Sequence, residues 1–318
     1  MSDTSDQLLW PLRNPEDGRL RAGWRIVVML AVYLVLTIVT MALVEALFTG
    51  QGQRLAAAFA ILAVGLLAAW LPTRYLDRRR FRALGLRTDR HAAFDAAVGA
   101  LLGLVLTGGV LVVYLAAGWA EVVDWRVGDD GGFAATFAIL VLTYAAVAVL
   151  EEVLFRGYLI INLTEGFDRL RQLRTPRWLA RWAHGLPVAA AVAVSSVIFA
   201  HFHGEQLTGM QYLHFTLAGL LLAIPYVVTG QLALSIGLHW TFNVGATGLF
   251  NIEGGVPAFV RLDLDGPAAW VGETALTETL AIVVMLPVVL AVARIRKRTG
   301  ARPVVPATGD AGADPVVR

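Results

Sequence analysis

The chain has 318 residues, of which 57% are hydrophobic and only 16% are charged. A soluble globular chain carries about 25% charged residues, so most of this chain is expected to lie in lipid. The absence of cysteine excludes disulfides, cysteine nucleophiles and thiolate metal sites. The net charge is only +2, which gives no support to a nucleic-acid-binding function.

An α-helix needs about 20 mostly apolar residues to cross a bilayer. The runs that approach or exceed this length are, in chain order, Trp24–Phe48, Leu55–Pro72, Ala96–Gly118, Phe133–Ile160, Leu186–Phe202, Gln211–Thr229, Leu232–Phe250 and Thr274–Val292. The first run is too long for the apolar core of a signal peptide. The sequence therefore predicts an all-α, polytopic membrane helical bundle of about eight transmembrane helices. In the third run, the spacing of Gly99 and Gly103 is a weak signal for close helix packing.

Basic residues concentrate in cytoplasmic loops because their translocation is unfavourable. If the N-terminus is inside, 23 of the 26 basic residues fall in inner segments, and only Arg54, Arg126 and Arg261 fall in outer ones. This asymmetry predicts that both termini are cytoplasmic. The bias toward arginine and alanine indicates a GC-rich genome, so we expect a multi-pass protein of a bacterial cell membrane.

The chain divides into a cytoplasmic N-terminal segment at 1–23, a membrane domain at 24–295 and a cytoplasmic tail at 296–318. The tail is rich in Pro, Gly and Ala, and we predict that it is disordered. Residues 161–185 mix arginines with Leu and Trp, which favours a segment lying at the membrane interface. An ordinary solvated loop is the alternative for that segment.

The fourth predicted span contains the sequence Glu151-Glu152-Val-Leu-Phe-Arg156. An ionisable side chain inside a span costs several kcal/mol, so it indicates function. Glu152 and Arg156 lie four residues apart and share one helix face, so we expect a structural ion pair between them. One guanidinium cannot neutralise two adjacent carboxylates, which leaves Glu151 for chemistry. The alternative is a structural charge cluster that holds the bundle together.

Two further spans carry histidines. The fifth ends in Phe199-Ala-His201-Phe-His203, and the seventh contains His239-Trp-Thr-Phe-Asn243. His201 and His203 point to different helix faces, so we expect only one of them, His203, to meet the glutamates. His239 and Asn243 share one face, and polar groups buried in lipid need partners. The alternatives are a polar tip at the interface for His203 and helix–helix contacts for His239 and Asn243.

The predicted depths of these residues disagree. At a rise of 1.5 Å per residue, His203 lies roughly 25 Å from the cytoplasmic end of the fifth span. Glu151 lies only about 9 residues from the predicted cytoplasmic end of the fourth span at Ile160, so the two depths differ by about 10 Å. Either the fifth helix is tilted or starts later, or the loop between the spans is misplaced.

The inward-facing candidates combine carboxylates, imidazoles and an amide in one apolar region. A carboxylate and a histidine can jointly deprotonate a water, and a second histidine and an asparagine can donate hydrogen bonds to an oxyanion. This set suffices for peptide-bond hydrolysis without a cofactor. Two His and a Glu can also hold zinc, and the ligands would then be Glu151, His203 and His239. The sequence contains no His-Glu-x-x-His signature of zinc proteases.

Three motifs, Glu151-Glu152-x-x-x-Arg156, Phe199-x-x-x-His203 and His239-x-x-x-Asn243, stand in this order, each in its own span. This arrangement resembles the CPBP family of intramembrane proteases, which includes type II CAAX prenyl endopeptidases and bacterial Abi-type members. The resemblance covers roughly residues 130–250, which would form the catalytic core. It implies that Glu151 and His203 activate the water, that His239 and Asn243 form the oxyanion hole, and that Glu152 and Arg156 support them.

The predicted function is therefore intramembrane endopeptidase activity by glutamate/histidine-activated water. Three alternatives stay open: a zinc-dependent version of the protease, a non-catalytic scaffold or bacteriocin-immunity-type protein of the same fold, and a transporter with a proton relay. The expected partners are membrane lipids and a protein or peptide substrate with a hydrophobic or C-terminal segment. No nucleic-acid partner is expected.

Overall fold

The computed structural model describes residues 12–14, 17–128, 132–174, 185–204, 209–250, 257–265 and 276–297. Its helices are α1 (Ala22–Leu47), α2 (Gly50–Tyr75), α3 (Arg90–Ala116), α4 (Phe133–Glu151), α5 (Ile161–Arg174), α6 (Leu186–His201), α7 (Gly209–Thr229), α8 (Ala233–Asn243) and α9 (Leu276–Arg296). A 3₁₀ turn covers Phe81–Leu84, and π-helical segments at Glu152–Ile160 and Val244–Leu249 continue α4 and α8. The prediction of an all-α polytopic bundle is confirmed.

Six helical stretches in the described part of the chain are long and apolar enough to cross a membrane. They are Ala22–Leu47, Gly50–Tyr75, Arg90–Ala116, Phe133–Asp168, Gly209–Thr229 and Thr279–Arg296. The other two predicted spans are shorter. The fifth is the 16-residue helix α6, and the seventh is α8 with its π-helical continuation.

A two-stranded antiparallel sheet joins two of the predicted outer loops. Strand β1 covers Ala120–Val127 and pairs with β2, Ala258–Leu264. Trp125 packs edge-on against Phe259, with ring centroids 6.1 Å apart. The sequence analysis predicted no strand here, because each strand lies in a loop and pairs with a segment far away in the chain.

The boundary predicted at Ile160 is wrong. The chain remains helical from Phe133 through the π-helical segment to Arg174, so residues 161–174 continue the fourth helix and do not form a loop. Residues 175–184 lie outside the described part. The helical stretch that contains the fourth candidate span extends to Asp168, which is 17 residues or about 25 Å from Glu151. Counted from this residue instead of Ile160, Glu151 lies as far along its helix as the sequence analysis placed His203 along the fifth span.

Helices α3 and α8 approach each other closely, as the Gly99–Gly103 spacing predicts. A Cβ atom at Gly99 would overlap the carbonyl oxygen of Leu234, and one at Gly237 would overlap the carbonyl oxygen of Ala96. Thr241 donates a hydrogen bond of 2.7 Å to the carbonyl of Ala100. These contacts fix α8, which carries His239 and Asn243, against α3.

Charged residues fix the start of α1 against α5 and the chain after α2. The Arg25 guanidinium is buried and pairs with Asp77 and, at 2.8 Å, with Glu165. Arg79 also pairs with Glu165. The Tyr158 hydroxyl donates to the carbonyl of Arg25 at 3.3 Å. These contacts fix the position of α1 along the axis of the helix that carries the glutamate pair.

Candidate functional site

The glutamate pair lies at the exact point where α4 changes to π-helical geometry. Glu151 is the last α-helical residue and Glu152 is the first π-helical one. The same change occurs in α8, where Asn243 is the last α-helical residue and Val244 starts the π-helical segment. Because π-helical insertions are frequent at functional sites, both transitions favour a functional role for the residues that they carry.

Glu152 is fully buried and contacts two other candidates. Its Oε1 atom lies 3.0 Å from Nη1 of Arg156, which agrees with the expected ion pair. The same oxygen lies 2.9 Å from Nδ1 of His239. Because an ionised carboxylate only accepts hydrogen bonds, Nδ1 of His239 is then the donor. Sequence reasoning missed this contact, because no sequence pattern specifies how α8 is rotated against α4.

Arg156 is itself enclosed by three elements. Its Nη2 donates to the carbonyl of Gly219 on α7 at 3.2 Å, and its guanidinium lies 4.3 Å from the centroid of the Phe199 ring on α6. A guanidinium over an aromatic face is attracted by the ring. Arg156 therefore holds Glu152 in place and connects α6 and α7 to the segment that carries the glutamates.

Glu151 occupies a different environment from Glu152. Its side chain is 21% exposed, whereas that of Glu152 is 0% exposed. Its Oε2 atom lies 3.7 Å from Nε2 of His239 and accepts no hydrogen bond within the described part of the chain. Oε2 of Glu152 also accepts no hydrogen bond there, so the two glutamates differ in exposure and in the engagement of Glu152 Oε1 by Arg156 and His239.

His203 lies in the turn that follows α6, just beyond the predicted end of the fifth span at Phe202. Its Nδ1 atom is 2.7 Å from the carbonyl oxygen of Phe199, so Nδ1 donates and Nε2 is free to accept a proton. Its ring stacks on Phe215 at 4.3 Å and contacts Phe199 at 4.3 Å. Burial lowers the pKa of His203 below 6.5, and the charge of nearby Glu151 opposes this effect. His201, by contrast, is exposed.

The end of α6 reaches the level of the glutamates through aromatic contacts. The Phe155 ring packs edge-on against Phe199 at 5.4 Å and against Phe202 at 5.5 Å. Ser195 donates a hydrogen bond of 2.8 Å to the carbonyl of Phe155. These contacts place His203 on the same side of the bundle as Glu151.

Asn243 is half-buried and lies one turn beyond His239 on α8. Further along the same helices, the Tyr144 hydroxyl and the Thr247 hydroxyl are 3.0 Å apart. The indole of Trp240 donates to the carbonyl of Val141 at 3.0 Å. Both bonds join α4 to α8 beside the site. The sequence analysis did not single out these residues, because Tyr, Thr and Trp are ordinary in apolar helices.

The side chains proposed as zinc ligands are Glu151, His203 and His239. Within the described ranges, no group of three His, Asp or Glu side chains is placed to hold a metal ion. Nδ1 of His239 contacts Glu152, and Nδ1 of His203 contacts Phe199, which leaves Nε2 of each ring as the atom that could bind a metal. Because the three side chains are not grouped around one point, they do not fit a three-ligand metal site as arranged, and no chemical step is derived through a metal.

Residues 133–245 match the family model described as Rce1-like, Type II CAAX prenyl endopeptidase Rce1-like. The match starts at the first residue of α4 and ends just beyond Asn243, so it contains all of the predicted site residues. No curated protein and no solved structure matches the chain.

The fold and the site define a polytopic membrane protein with buried glutamates and histidines between its helices. The Rce1-like match over residues 133–245 covers less than half of the chain and supports an intramembrane protease of the CPBP family.

Proposed function

We propose that this protein is an intramembrane endopeptidase that hydrolyses a peptide bond with a water activated by Glu151 and His203. The observation that carries the proposal is the division of labour between the two glutamates. Glu152 is fully buried and its Oε1 is engaged by Arg156 and His239, whereas the Glu151 side chain is 21% exposed and within reach of a water or a substrate. A general base must be within reach of the water from which it takes the proton.

The chemistry starts with a water between Glu151 and His203. Transfer of its proton to the Glu151 carboxylate produces a hydroxide equivalent that attacks the scissile carbonyl carbon. His203 supports this step because its Nε2 lone pair accepts from the water while Nδ1 is held by Phe199. When the C–N bond breaks, Glu151 returns the proton to the leaving amine. Every proton in the reaction is then accounted for, and no cofactor is required.

His239 and Asn243 would stabilise the negative oxygen of the tetrahedral intermediate. Nδ1 of His239 donates to Glu152, so donation from Nε2 requires a doubly protonated ring. In this proposal Glu152 positions His239, and Arg156 holds Glu152.

The substrate proposed for this site is a membrane-associated protein or peptide with a hydrophobic or C-terminal segment. The Rce1-like description makes a prenylated CAAX peptide the first substrate to test. We propose the cell membrane of a bacterium as the location, with both termini on the cytoplasmic side. The surrounding lipids are then the other partner of the protein.

The test uses purified protein in liposomes with two fluorogenic peptides of one CAAX sequence, one prenylated and one not. Glu151→Gln is expected to lower cleavage on the order of 10²–10⁴-fold, because the general base is lost. The matched control is Glu45→Gln, which changes an exposed glutamate of α1 and should leave cleavage unchanged. Cleavage retained by Glu151→Gln would contradict the proposal, and equal cleavage of both peptides would show that the prenyl group is not recognised.

A further inference from the structure

His203 differs from the other proposed catalytic residues because it lies outside a regular helix. It stands in the turn that follows α6, two residues beyond His201. Its Nδ1 donates to the carbonyl of Phe199 at 2.7 Å, which anchors one edge of the imidazole. The ring can still rotate about the axis of this bond, and such a rotation would move Nε2 away from the water. A second contact is therefore needed to fix the direction of Nε2.

Two phenyl rings contact the imidazole of His203. The Phe199 ring comes from α6, with its centroid 4.3 Å away and its plane inclined by 50°. The Phe215 ring comes from α7, also with its centroid at 4.3 Å, and its plane is inclined by only 25°, so these two rings are stacked. Stacking restricts the plane of the imidazole, and the Nδ1 bond restricts its edge. The two contacts together define where Nε2 points.

The direction of Phe215 is set by its neighbour on α7. Adjacent residues of a helix point about 100° apart, so His214 and Phe215 face different elements. The Nδ1 atom of His214 lies 3.4 Å from Oγ1 of Thr279 on α9, and each of these two residues is 5% exposed. The His214 ring also packs edge-on against Phe215, with centroids 5.2 Å apart. A buried hydrogen bond on one side of α7 thus fixes its rotation and directs Phe215 toward His203.

The approach of α7 to α6 is fixed independently, one turn beyond Phe215. A Cβ atom at Gly219 would lie 3.0 Å from Cα of Ser196 on α6, so the two helices are in close contact there. Gly219 and Phe215 are four residues apart and share one face of α7. The face that carries Phe215 therefore lies against α6, and His203 stands at the end of that helix.

We propose that Phe215 is a positioning residue for His203, whose stacked ring fixes the plane of the imidazole so that Nε2 points toward the water. The hydrogen bond between His214 and Thr279 holds α7 in the rotation that this stacking needs. Phe215 belongs to none of the three motifs, and α9 lies outside the segment that matches the family model. The inference rests on the proposed function of His203 and extends the site to α7 and α9.

The stacking is tested first, without any substrate. The six histidines are labelled with ¹³C at Cε1, and the His203 signal is identified by its loss in His203→Gln. A proton above the face of a phenyl ring is shielded, so the Hε1 signal of His203 should move downfield in Phe215→Leu. It should stay in place in Phe215→Tyr, which keeps the ring, and in the control Phe59→Leu, at a 61% exposed phenylalanine of α2. An unchanged signal in Phe215→Leu would overturn the inference, whatever the activity of the protein.

The positioning role is then tested with the prenylated peptide. In Phe215→Leu, kcat should fall roughly 10- to 100-fold with KM unchanged, because a displacement of about 1 Å can cost about 10²-fold in rate. Phe215→Tyr should retain most of kcat. A higher KM with an unchanged kcat would make Phe215 a wall of the substrate site and refute the positioning role. Cleavage by Glu151→Gln would instead refute the proposed function on which that role rests.

The support from α9 is tested with Thr279→Val, which removes the hydroxyl group and keeps the shape of the side chain. The His203 signal should move in the same direction as in Phe215→Leu, with a smaller fall in kcat. The matched control is Thr216→Val, because the Thr216 hydroxyl donates to the carbonyl of Tyr212 within α7 itself, at 2.8 Å. This control should leave both readouts unchanged. Equal results for the two threonine variants would refute the role of α9.

Discussion

Replacement of Glu152 by Gln removes a negative charge from a fully buried site. Glu152 is fully buried and Arg156 is 1% exposed, so the variant leaves a buried guanidinium with the Gly219 carbonyl and the Phe199 ring as its other contacts. Breaking a buried ion pair from one side costs about 3–5 kcal/mol. The lost hydrogen bond to His239 is a second cost and also frees the imidazole to rotate. We therefore expect a loss of stability near the upper end of that range.

A double variant separates charge burial from catalysis. Glu152→Gln combined with Arg156→Met removes both charges, so no unpaired ion remains and most of the lost stability should return. Activity should not return, because the negative carboxylate that fixes His239 is still absent. The free energy of unfolding would be measured by denaturant titration in mixed micelles, and cleavage of the prenylated peptide would be measured on the same samples.

Asp17→Asn is the matched control for the loss of one carboxylate. Asp17 pairs with Arg19 at 2.8 Å, and the two side chains are 32% and 22% exposed. A solvent-accessible pair contributes about 1 kcal/mol or less, so this variant should be nearly neutral. If Glu152→Gln is as mild as Asp17→Asn, or if the double variant is less stable than Glu152→Gln alone, the buried-pair reasoning is refuted.

Three further outcomes are expected. Asn243→Ala should lower kcat about 10²–10³-fold, the usual effect of losing one oxyanion donor, and an unchanged kcat would remove Asn243 from the site. Because burial lowers the pKa of His203, its ring stays neutral as the pH falls through 6.5. The cleavage rate should therefore decline only below pH 6.5, and a decline that begins above pH 6.5 would contradict this reasoning. Gly99→Ala should cost about 1–3 kcal/mol of unfolding free energy through overlap with Leu234, whereas Gly109→Ala, with nothing within 4 Å, should be neutral.

The membrane class and the glutamate motif follow from the sequence because both depend on local properties. Long apolar runs must be helical in lipid, where each backbone group needs a partner within its own segment. The Glu152–Arg156 pair depends only on helical spacing, and the structure places the two side chains 3.0 Å apart. The end of the fourth span was misplaced because the polar residues after Ile160 resemble a loop, although the helix continues to Arg174.

The six candidate site residues come from the sequence, since charged and amide groups in apolar spans are rare and costly. Only the tertiary structure decides which of them meet. The contact between Glu152 and His239 and the partial exposure of Glu151 each depend on how separate helices are rotated and aligned. Helical periodicity specifies a face within one helix, but the packing of several helices, through close contacts such as Gly99 against Leu234, determines what that face touches.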